Sequence, residues 1–118
     1  MGKKFIYLST CDTCRKIMKE VCLTEDYVLH DLKKTPLDES TLKYLLKYYE
    51  ASELVNRRSR KIKELGIDLA NLSDAELKNW LLKEYTFIKR PIAIDDKNVF
   101  VGNSKAVREA LKLHIEQS

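Results

Sequence analysis

The chain has 118 residues, of which 44% are hydrophobic and 34% charged, and its formal net charge at pH 7 is +4. This composition is typical of a folded globular protein and excludes an intrinsically disordered chain. The length predicts a single domain, and no apolar stretch approaches the length needed to cross a membrane. Three cysteines, two of them close together, favour a reducing compartment, so we expect a cytoplasmic protein.

The first strand and the first helix flank a Cys-x-x-Cys motif. The apolar run Phe5–Leu8 predicts a buried strand, and apolar residues at helical spacing follow the motif. At a helix N-terminus, unpaired N–H groups and the helix dipole favour the thiolate of Cys11. Cys14 falls on the same helical face, and Arg15 adds positive charge. We predict a redox centre with Cys11 as nucleophile; Cys14 is either its resolving partner, which we favour, or a silent neighbour.

A structural zinc site is the main alternative for these cysteines. It needs four ligands, and outside the motif the chain offers only Cys22, His30 and His114, none at ligand spacing. A purely structural disulfide within the motif would close too short a loop to stabilise the fold much. We therefore predict no metal site, a core position for Cys22 and structural roles for both histidines.

The middle of the chain predicts one more strand and then several helices. The strand is expected at Asp26–His30. Apolar residues recur at i, i+3, i+4 and i+7 from Leu42, which predicts an amphipathic helix capped by Asp38 or Thr35. A basic and less regular stretch follows and ends at Gly66, a residue typical of the position just after a helix.

The C-terminal part predicts a helix, a hairpin and a last helix. Ser73–Glu76 is a capping box. The buried stripe of the helix it opens is predicted to comprise Leu77, Trp80 and Leu81. Residues 90–101 then predict a β-hairpin with a polar turn at 95–98. Gly102–Ser104 is expected to cap the last helix. One face of that helix is predicted to carry Val107, Ala110 and Leu111.

The order β-α-β, several helices, β-β-α matches an α/β, thioredoxin-like fold, with a helical insertion at about residues 36–86 of the single domain 1–118. In such folds the proline that opens the third strand is usually cis and lies against the cysteine site. Pro91 occupies this place, and Arg90 before it would then point toward the thiolate. The alternative is a trans proline that merely begins an edge strand.

Four motifs together resemble the ArsC family, which holds glutaredoxin-coupled arsenate reductases and Spx-type regulators of RNA polymerase. In chain order they are Cys11–Lys16, Asn56–Ser59, Lys89–Ile92 and Val101–Gly102. The resemblance extends from Phe5 to about Leu113 and implies a thioredoxin-like fold with an inserted helical subdomain.

The resemblance to the reductases implies that Cys11 attacks the arsenic of arsenate while guanidinium groups hold the oxyanion. The residues that match the anion-binding positions are Arg15 and Arg90, with a share for Arg58, and Asn56 and Pro91 are structural neighbours of the site. It also implies that no cofactor is bound, and that glutathione with glutaredoxin, or thioredoxin, supplies the electrons. An alternative for Arg58 is that the basic run Arg57–Lys63 is a solvated helix face, or a weak nucleic-acid contact.

Several departures from the reductase pattern favour the Spx branch instead. Tyr7 replaces the family's histidine, Asn56 replaces an oxyanion-binding arginine, and another reductase arginine falls near Gly102. The resemblance to Spx-type proteins implies that the Cys11–Cys14 pair is a disulfide switch and that RNA polymerase is the partner. Arg58 or Arg90 would then respond to the formation of the disulfide. The chain ends at Ser118, before the longer basic tail expected of those regulators. We favour a thiol-dependent reductase; the alternative is a redox-switched regulator.

Overall fold

The computed structural model describes residues 1–118 and divides into two compact units. We call residues Met1–Thr35 with Arg90–Ser118 the sheet unit, and residues Pro36–Lys89 the helical unit. The two contain strands and helices in the mixed α/β order that the sequence predicts. None of the helices is long and apolar enough to cross a membrane.

The elements of the sheet unit are the strands β1 (Lys3–Tyr7), β2 (Val28–Asp31), β3 (Ile92–Asp95) and β4 (Asn98–Val101), and the helices α1 (Asp12–Glu20) and α5 (Lys105–Glu116). The helical unit contains α2 (Glu39–Leu45), α3 (Arg60–Glu64) and α4 (Asp74–Lys83), with short 3-10 turns at Ala51–Leu54, Leu69–Asn71 and Tyr85–Phe87. Each predicted strand and helix is therefore present, with bounds that shift by a few residues.

The sheet has the strand order β2-β1-β3-β4. β1 and β2 are parallel and joined through α1, whereas β1 pairs with β3, and β3 with β4, in antiparallel fashion. Phe5 lies opposite Leu29 on one side and Ala93 on the other. Its side chain is completely buried, which contributes roughly 1.5–3 kcal/mol. It belongs to a core cluster formed by Phe5, Ile17, Val21, Tyr27, Ala93, Leu111 and Ile115. The core therefore packs α1 and α5 against one face of the sheet.

The predicted hairpin and the cap of the last helix are confirmed. β3 and β4 pair from Ile92 opposite Val101 to Asp95 opposite Asn98, so two residues form the turn. The first of them, Asp96, has φ +51°, a left-handed conformation that aspartate tolerates. Ser104 then caps α5, because its side chain accepts a hydrogen bond from the backbone N–H of Val107 at 3.2 Å.

In the helical unit the capping signals of the sequence are confirmed. Asp38, and not Thr35, caps α2, since its carboxylate accepts the backbone N–H of Thr41 at 3.0 Å. Ser73 and Glu76 form the reciprocal capping box of α4. Gly66 has φ +64° just after α3. In the buried stripe of α4, Trp80 is only half-buried and stacks on Phe87 with ring centroids 5.1 Å apart.

One core position predicted from the sequence is wrong. Cys22 is exposed, because α1 ends at Glu20 and Cys22 takes the left-handed conformation, φ +55°, just beyond the helix cap. Apolar spacing alone did not reveal where the helix stops. On the predicted face of α5, Leu111 is buried and Ala110 is exposed, and the buried stripe continues at Ile115.

Candidate redox site

Cys11 stands at the junction between β1 and α1. The chain leaves the sheet at Tyr7 and turns through residues 8–10, and Cys11 is the N-cap residue of α1, with an extended backbone. Its own N–H donates to the carbonyl of Leu8 at 2.9 Å, which fixes the turn. Backbone N–H groups in the first turn of a helix have no partner within the helix, so they are available to a side chain at this position. The predicted helix-start position of Cys11 is confirmed.

The surroundings of Cys11 favour its thiolate. Partial burial is the largest single influence and raises its pKa, whereas the hydrogen bonds from the backbone N–H and the thiol of Cys14 lower it. The charge of Arg90 and the backbone N–H of Thr13 lower the pKa further, so that it lies below the ordinary value of 9.0. The side chain is only partly buried, so a small reagent can reach the sulfur.

Cys14 has the opposite environment. Its side chain is completely buried, and this burial raises the pKa of the Cys14 thiol to about 11, although a backbone hydrogen bond from Leu8 acts in the other direction. At neutral pH Cys14 is therefore protonated and donates to the Cys11 sulfur. Both cysteines are free thiols in the structure. The pair combines an accessible, acidic thiol with a buried thiol in direct contact with it.

Arg90 and Pro91 lie beside this pair. The Arg90–Pro91 peptide bond is cis, as the sequence predicts, and Pro91 is buried. The positive charge of Arg90 lowers the pKa of both Cys11 and Cys14, which places the guanidinium within electrostatic reach of the two sulfurs. Of the three arginines predicted to bind an anion, the structure thus brings Arg90 to the cysteines.

Arg15 is bound to partners other than the two thiols. Its guanidinium forms an ion pair with Asp12, and it also donates to the carbonyl of Ser9 at 3.3 Å. More than half of the side chain is exposed, so an incoming anion would compete with Asp12 for it. The role of Arg15 as an anion ligand stays a prediction.

Asn56 and Arg58 belong to the helical unit. The side-chain oxygen of Asn56 accepts the backbone N–H of Arg58 at 3.2 Å, and its amide group donates to the carbonyl of Thr86 at 3.3 Å. Asn56 therefore shapes the turn that carries Arg58, whose side chain is exposed. Their participation in the cysteine site stays a prediction.

The histidines have local partners. His114 bonds Asp95 at 2.8 Å, and His30 bonds the carbonyl of Thr35 at 2.9 Å. No group of three or more histidine, cysteine, aspartate or glutamate side chains is placed so that it could hold a metal ion.

Sequence reasoning missed one residue near the cysteines, the buried acid Asp31 at the end of β2. Its Oδ1 accepts the backbone N–H groups of Ser9 and Lys33, each at 3.0 Å. Ser9 belongs to the turn that leads into Cys11. The strand predicted from the sequence ended at His30, one residue before this aspartate. The one feature of the sequence that could have pointed to Asp31 is an acidic residue at the end of a strand.

Comparison with known proteins identifies the family. The ArsC family model matches residues 7–111. The chain belongs to the ArsC family. It is 31% identical over 112 residues to the global transcriptional regulator Spx of Streptococcus mutans, covering 90% of this chain and 81% of that protein.

Two solved structures share the fold over nearly their whole length. An arsenate reductase-related protein from Brucella melitensis is 30% identical, with a TM-score of 0.69 and coverage of 93% of both chains. A protein from Streptococcus mutans described as a possible arsenate reductase is 27% identical, with a TM-score of 0.74 and coverage of 92% of this chain and 96% of that one. The predicted thioredoxin-like fold is confirmed, and relatives of both the reductase and the regulator type are present.

Proposed function

We propose that this ArsC-family protein is a thiol-dependent oxidoreductase whose Cys11–Cys14 pair cycles between dithiol and disulfide. One observation carries the proposal. Cys11 is the N-cap residue of α1 and a partly accessible thiol whose pKa is lowered, and the buried thiol of Cys14 donates a hydrogen bond to it. A reactive thiolate with a second thiol in contact has both parts that thiol–disulfide exchange needs.

With arsenate as the substrate, the Cys11 thiolate attacks arsenic, the bond from arsenic to one hydroxyl group breaks, and that hydroxyl takes a proton from solvent and leaves as water. The Cys14 sulfur then attacks the Cys11 sulfur, and the electron pair of the sulfur–arsenic bond passes to arsenic. Arsenic(V) thereby becomes arsenic(III), the proton of Cys14 goes to the departing arsenite, and the two cysteines form a disulfide. Two thiols from glutathione with glutaredoxin, or from thioredoxin, restore the dithiol.

In this scheme Arg90 stabilises negative charge at the sulfurs and on the bound oxyanion, because it lies beside both cysteines. Arg15 and Arg58 would add forked donors to the oxyanion, as their positions in the family motifs imply. Pro91 and Asn56 would act through the backbone, since one joins Arg90 to β3 and the other shapes the turn of Arg58.

Arsenate-dependent oxidation of NADPH tests this proposal, in an assay coupled through glutathione, glutaredoxin and glutathione reductase. We expect turnover with the native chain and with Cys22→Ser, and none with Cys11→Ser. The Cys22 variant is a matched control because it removes an exposed thiol at the other end of the same helix. Absence of turnover in the native chain, with glutathione and with thioredoxin, would contradict a role as an arsenate reductase.

A second candidate is a redox-switched regulator that binds RNA polymerase, favoured by the similarity to Spx over 90% of this chain. Tyr7 and Asn56, which depart from the reductase pattern, also favour it. Under this alternative the disulfide changes a binding surface and no substrate turns over. Pull-down of purified RNA polymerase by the reduced and the oxidised protein tests it. Retention that differs between the two forms, and no longer differs in Cys14→Ser, would support the regulator.

A further inference from the structure

Asp31 is a buried acid that has no role in the proposed reaction. The residue is only 9% exposed, and its carboxylate lies at the end of β2. Oδ1 accepts two backbone N–H groups, those of Ser9 and Lys33, and Oδ2 is buried without a hydrogen-bond partner. A buried carboxylate costs stability unless it is hydrogen-bonded, and a buried oxygen without a partner adds to that cost. Such an acid therefore needs an explanation beyond packing.

The turn held by Asp31 forms hydrogen bonds with both cysteines of the redox pair. The carbonyl of Leu8 accepts the N–H of Cys11 at 2.9 Å, and the backbone of Leu8 also forms a hydrogen bond with the Cys14 thiol. Ser9, the next residue, donates its N–H to Asp31. One residue thus separates the buried carboxylate from the backbone groups that contact both cysteines.

The bond between Asp31 and Ser9 joins two adjacent parallel strands just beyond their ends. The last pair in the register of β1 and β2 is Tyr7 opposite Asp31, and one backbone bond follows, from the N–H of Leu32 to the carbonyl of Tyr7 at 2.8 Å. Beyond this point β2 supplies no backbone acceptor for the N–H of Ser9, and the carboxylate of Asp31 accepts that N–H instead. The carboxylate therefore extends the sheet to the turn that leads into Cys11.

We infer that Asp31 is a positioning residue of the redox site: its buried carboxylate holds the turn of residues 8–10 so that Cys11 occupies the N-cap position of α1 in contact with Cys14. This inference deepens the proposed function and rests on it. Asp31 does not touch the reacting sulfurs in this account; it acts through Ser9 and Leu8. Without the acceptor, the N–H of Ser9 loses its partner and the turn is free to change conformation. Cys11 then leaves the position in which the helix N–H groups stabilise its thiolate.

The test is the pH dependence of Cys11 alkylation by iodoacetamide, measured by mass spectrometry in a Cys22→Ser background that removes the exposed competing thiol. We expect the midpoint of the native chain to lie below pH 9 and to rise in Asp31→Ala. A rise of half a unit to one unit would lower the rate at pH 7 about 3- to 10-fold. Asp31→Asn should keep most of the native profile, because its side-chain oxygen can still accept the Ser9 N–H.

Asp26→Ala is the matched control. Asp26 is an exposed acid before the same strand, and its carboxylate pairs with Lys3 at 2.7 Å. Its removal should leave the alkylation profile unchanged. Should Asp31→Ala fail to fold, Asp31→Ser takes its place, since the short hydroxyl cannot span the distance to Ser9 and the same rise is expected. A native profile in a folded Asp31→Ala or Asp31→Ser protein would overturn the inference.

The same measurement separates this inference from the proposed function. If Cys11 of the native chain titrates at its ordinary pKa, the proposed reactive thiolate fails, and the positioning role of Asp31 fails with it. If the native midpoint is low and remains low in Asp31→Ala, only the positioning role fails. A profile altered equally in Asp31→Ala and Asp31→Asn would also overturn it, because the charge and not the acceptor would then be the cause.

Discussion

The two ends of α1 each carry cysteine, and the cysteines differ in exposure, in backbone conformation and in their place on the helix. At the N-terminal end, Cys11 is the N-cap residue and Cys14 is buried one turn further on. At the C-terminal end, Cys22 lies beyond the cap in a left-handed conformation, exposed and without another thiol beside it. At one end backbone N–H groups face the sulfur, and at the other the helix presents its carbonyl groups.

From this comparison we expect the position on the helix, and not the residue type, to decide which cysteine is reactive. Only the N-terminal pair has an accessible thiol, a second thiol in contact and a cation, Arg90, nearby. The chemistry proposed here therefore depends on the junction between β1 and α1, which the first 31 residues and the cis-proline segment build together. Variants at either end of α1 test this difference.

The largest effect is expected from Cys11→Ser. Replacement of the attacking sulfur should lower the rate of reaction with oxidised glutathione at pH 7 by at least about 1000-fold, as removal of a catalytic nucleophile does. Disulfide exchange followed by mass spectrometry measures it. The exposed Cys22 remains as an internal reference in the same sample. A variant that exchanges at the native rate would show that Cys22 or Cys14 is the reactive thiol.

A second prediction concerns the resolving step. In Cys14→Ser, Cys11 should still attack oxidised glutathione, because a serine hydroxyl can donate the hydrogen bond that the Cys14 thiol donates. The reaction should then stop at the mixed disulfide, which accumulates to nearly one equivalent on Cys11. In the native chain the mixed disulfide should be transient. Equal accumulation in both proteins would identify Cys14 as a silent neighbour.

Arginine variants sharpen the electrostatic part of the comparison. Arg90→Ala should raise the pKa of Cys11 and lower its alkylation rate at pH 7 about 3- to 10-fold. Arg15→Ala removes the same charge from a side chain that forms an ion pair with Asp12, so it should have a smaller effect. The alkylation profile from pH 5 to pH 10 measures both. The opposite order would show that Arg15, and not Arg90, stabilises the thiolate.

The pH dependence of the free energy of unfolding tests the contribution of Asp31, which holds the turn before the N-terminal end of α1. Burial raises the pKa of Asp31, but the hydrogen bonds from Ser9 and Lys33, together with the charge of Lys34, hold that pKa below the ordinary 3.8. The stabilisation is therefore complete above pH 3.8 and is lost as the pH falls through the lowered folded-state value.

Asp31→Asn should accordingly be less stable than the native chain at pH 7, by about 1 kcal/mol for a weakened charge-assisted hydrogen bond. The difference should shrink at acidic pH. Urea unfolding at pH 7 and pH 3 measures it. A difference that grows toward acidic pH would contradict this sign, because the carboxylate would then be destabilising when ionised.

The smallest effect is expected at the C-terminal end. Cys22→Ser exchanges one small exposed side chain for another, so the free energy of unfolding should change by less than about 0.5 kcal/mol. The alkylation midpoint of Cys11 should stay at its native value. Thermal unfolding and the alkylation profile check the two expectations. A shifted midpoint would mean that the two ends of the helix communicate, which the comparison does not predict.

Local signals explain what the sequence predicts correctly. Asp38, Ser73 and Ser104 cap helices through hydrogen bonds within three residues along the chain, so the pattern of a few neighbouring residues suffices. Cys11 is found in the same way, because it lies between an apolar strand and a helical repeat.

Tertiary contacts explain what the sequence misses. Asp31 meets Ser9 only because β1 and β2 pair in parallel, and 22 positions separate the two residues in the chain. The exposure of Cys22 depends on where α1 ends, and its apolar neighbours continue the helical spacing past that point. Periodicity identifies the elements of this fold, whereas the supports of its redox site arise from strand register.

Mild oxidation followed by tryptic mapping tests the central claim most directly. Cys11 and Cys14 fall in one tryptic peptide, Phe5–Arg15, whereas Cys22 falls in Glu20–Lys33. Diamide should lower the mass of the first peptide by about 2 Da, the two hydrogens lost on disulfide formation, and dithiothreitol should restore it. A disulfide between the two peptides, or a first peptide that remains reduced while Cys22 is oxidised, would contradict a Cys11–Cys14 redox pair.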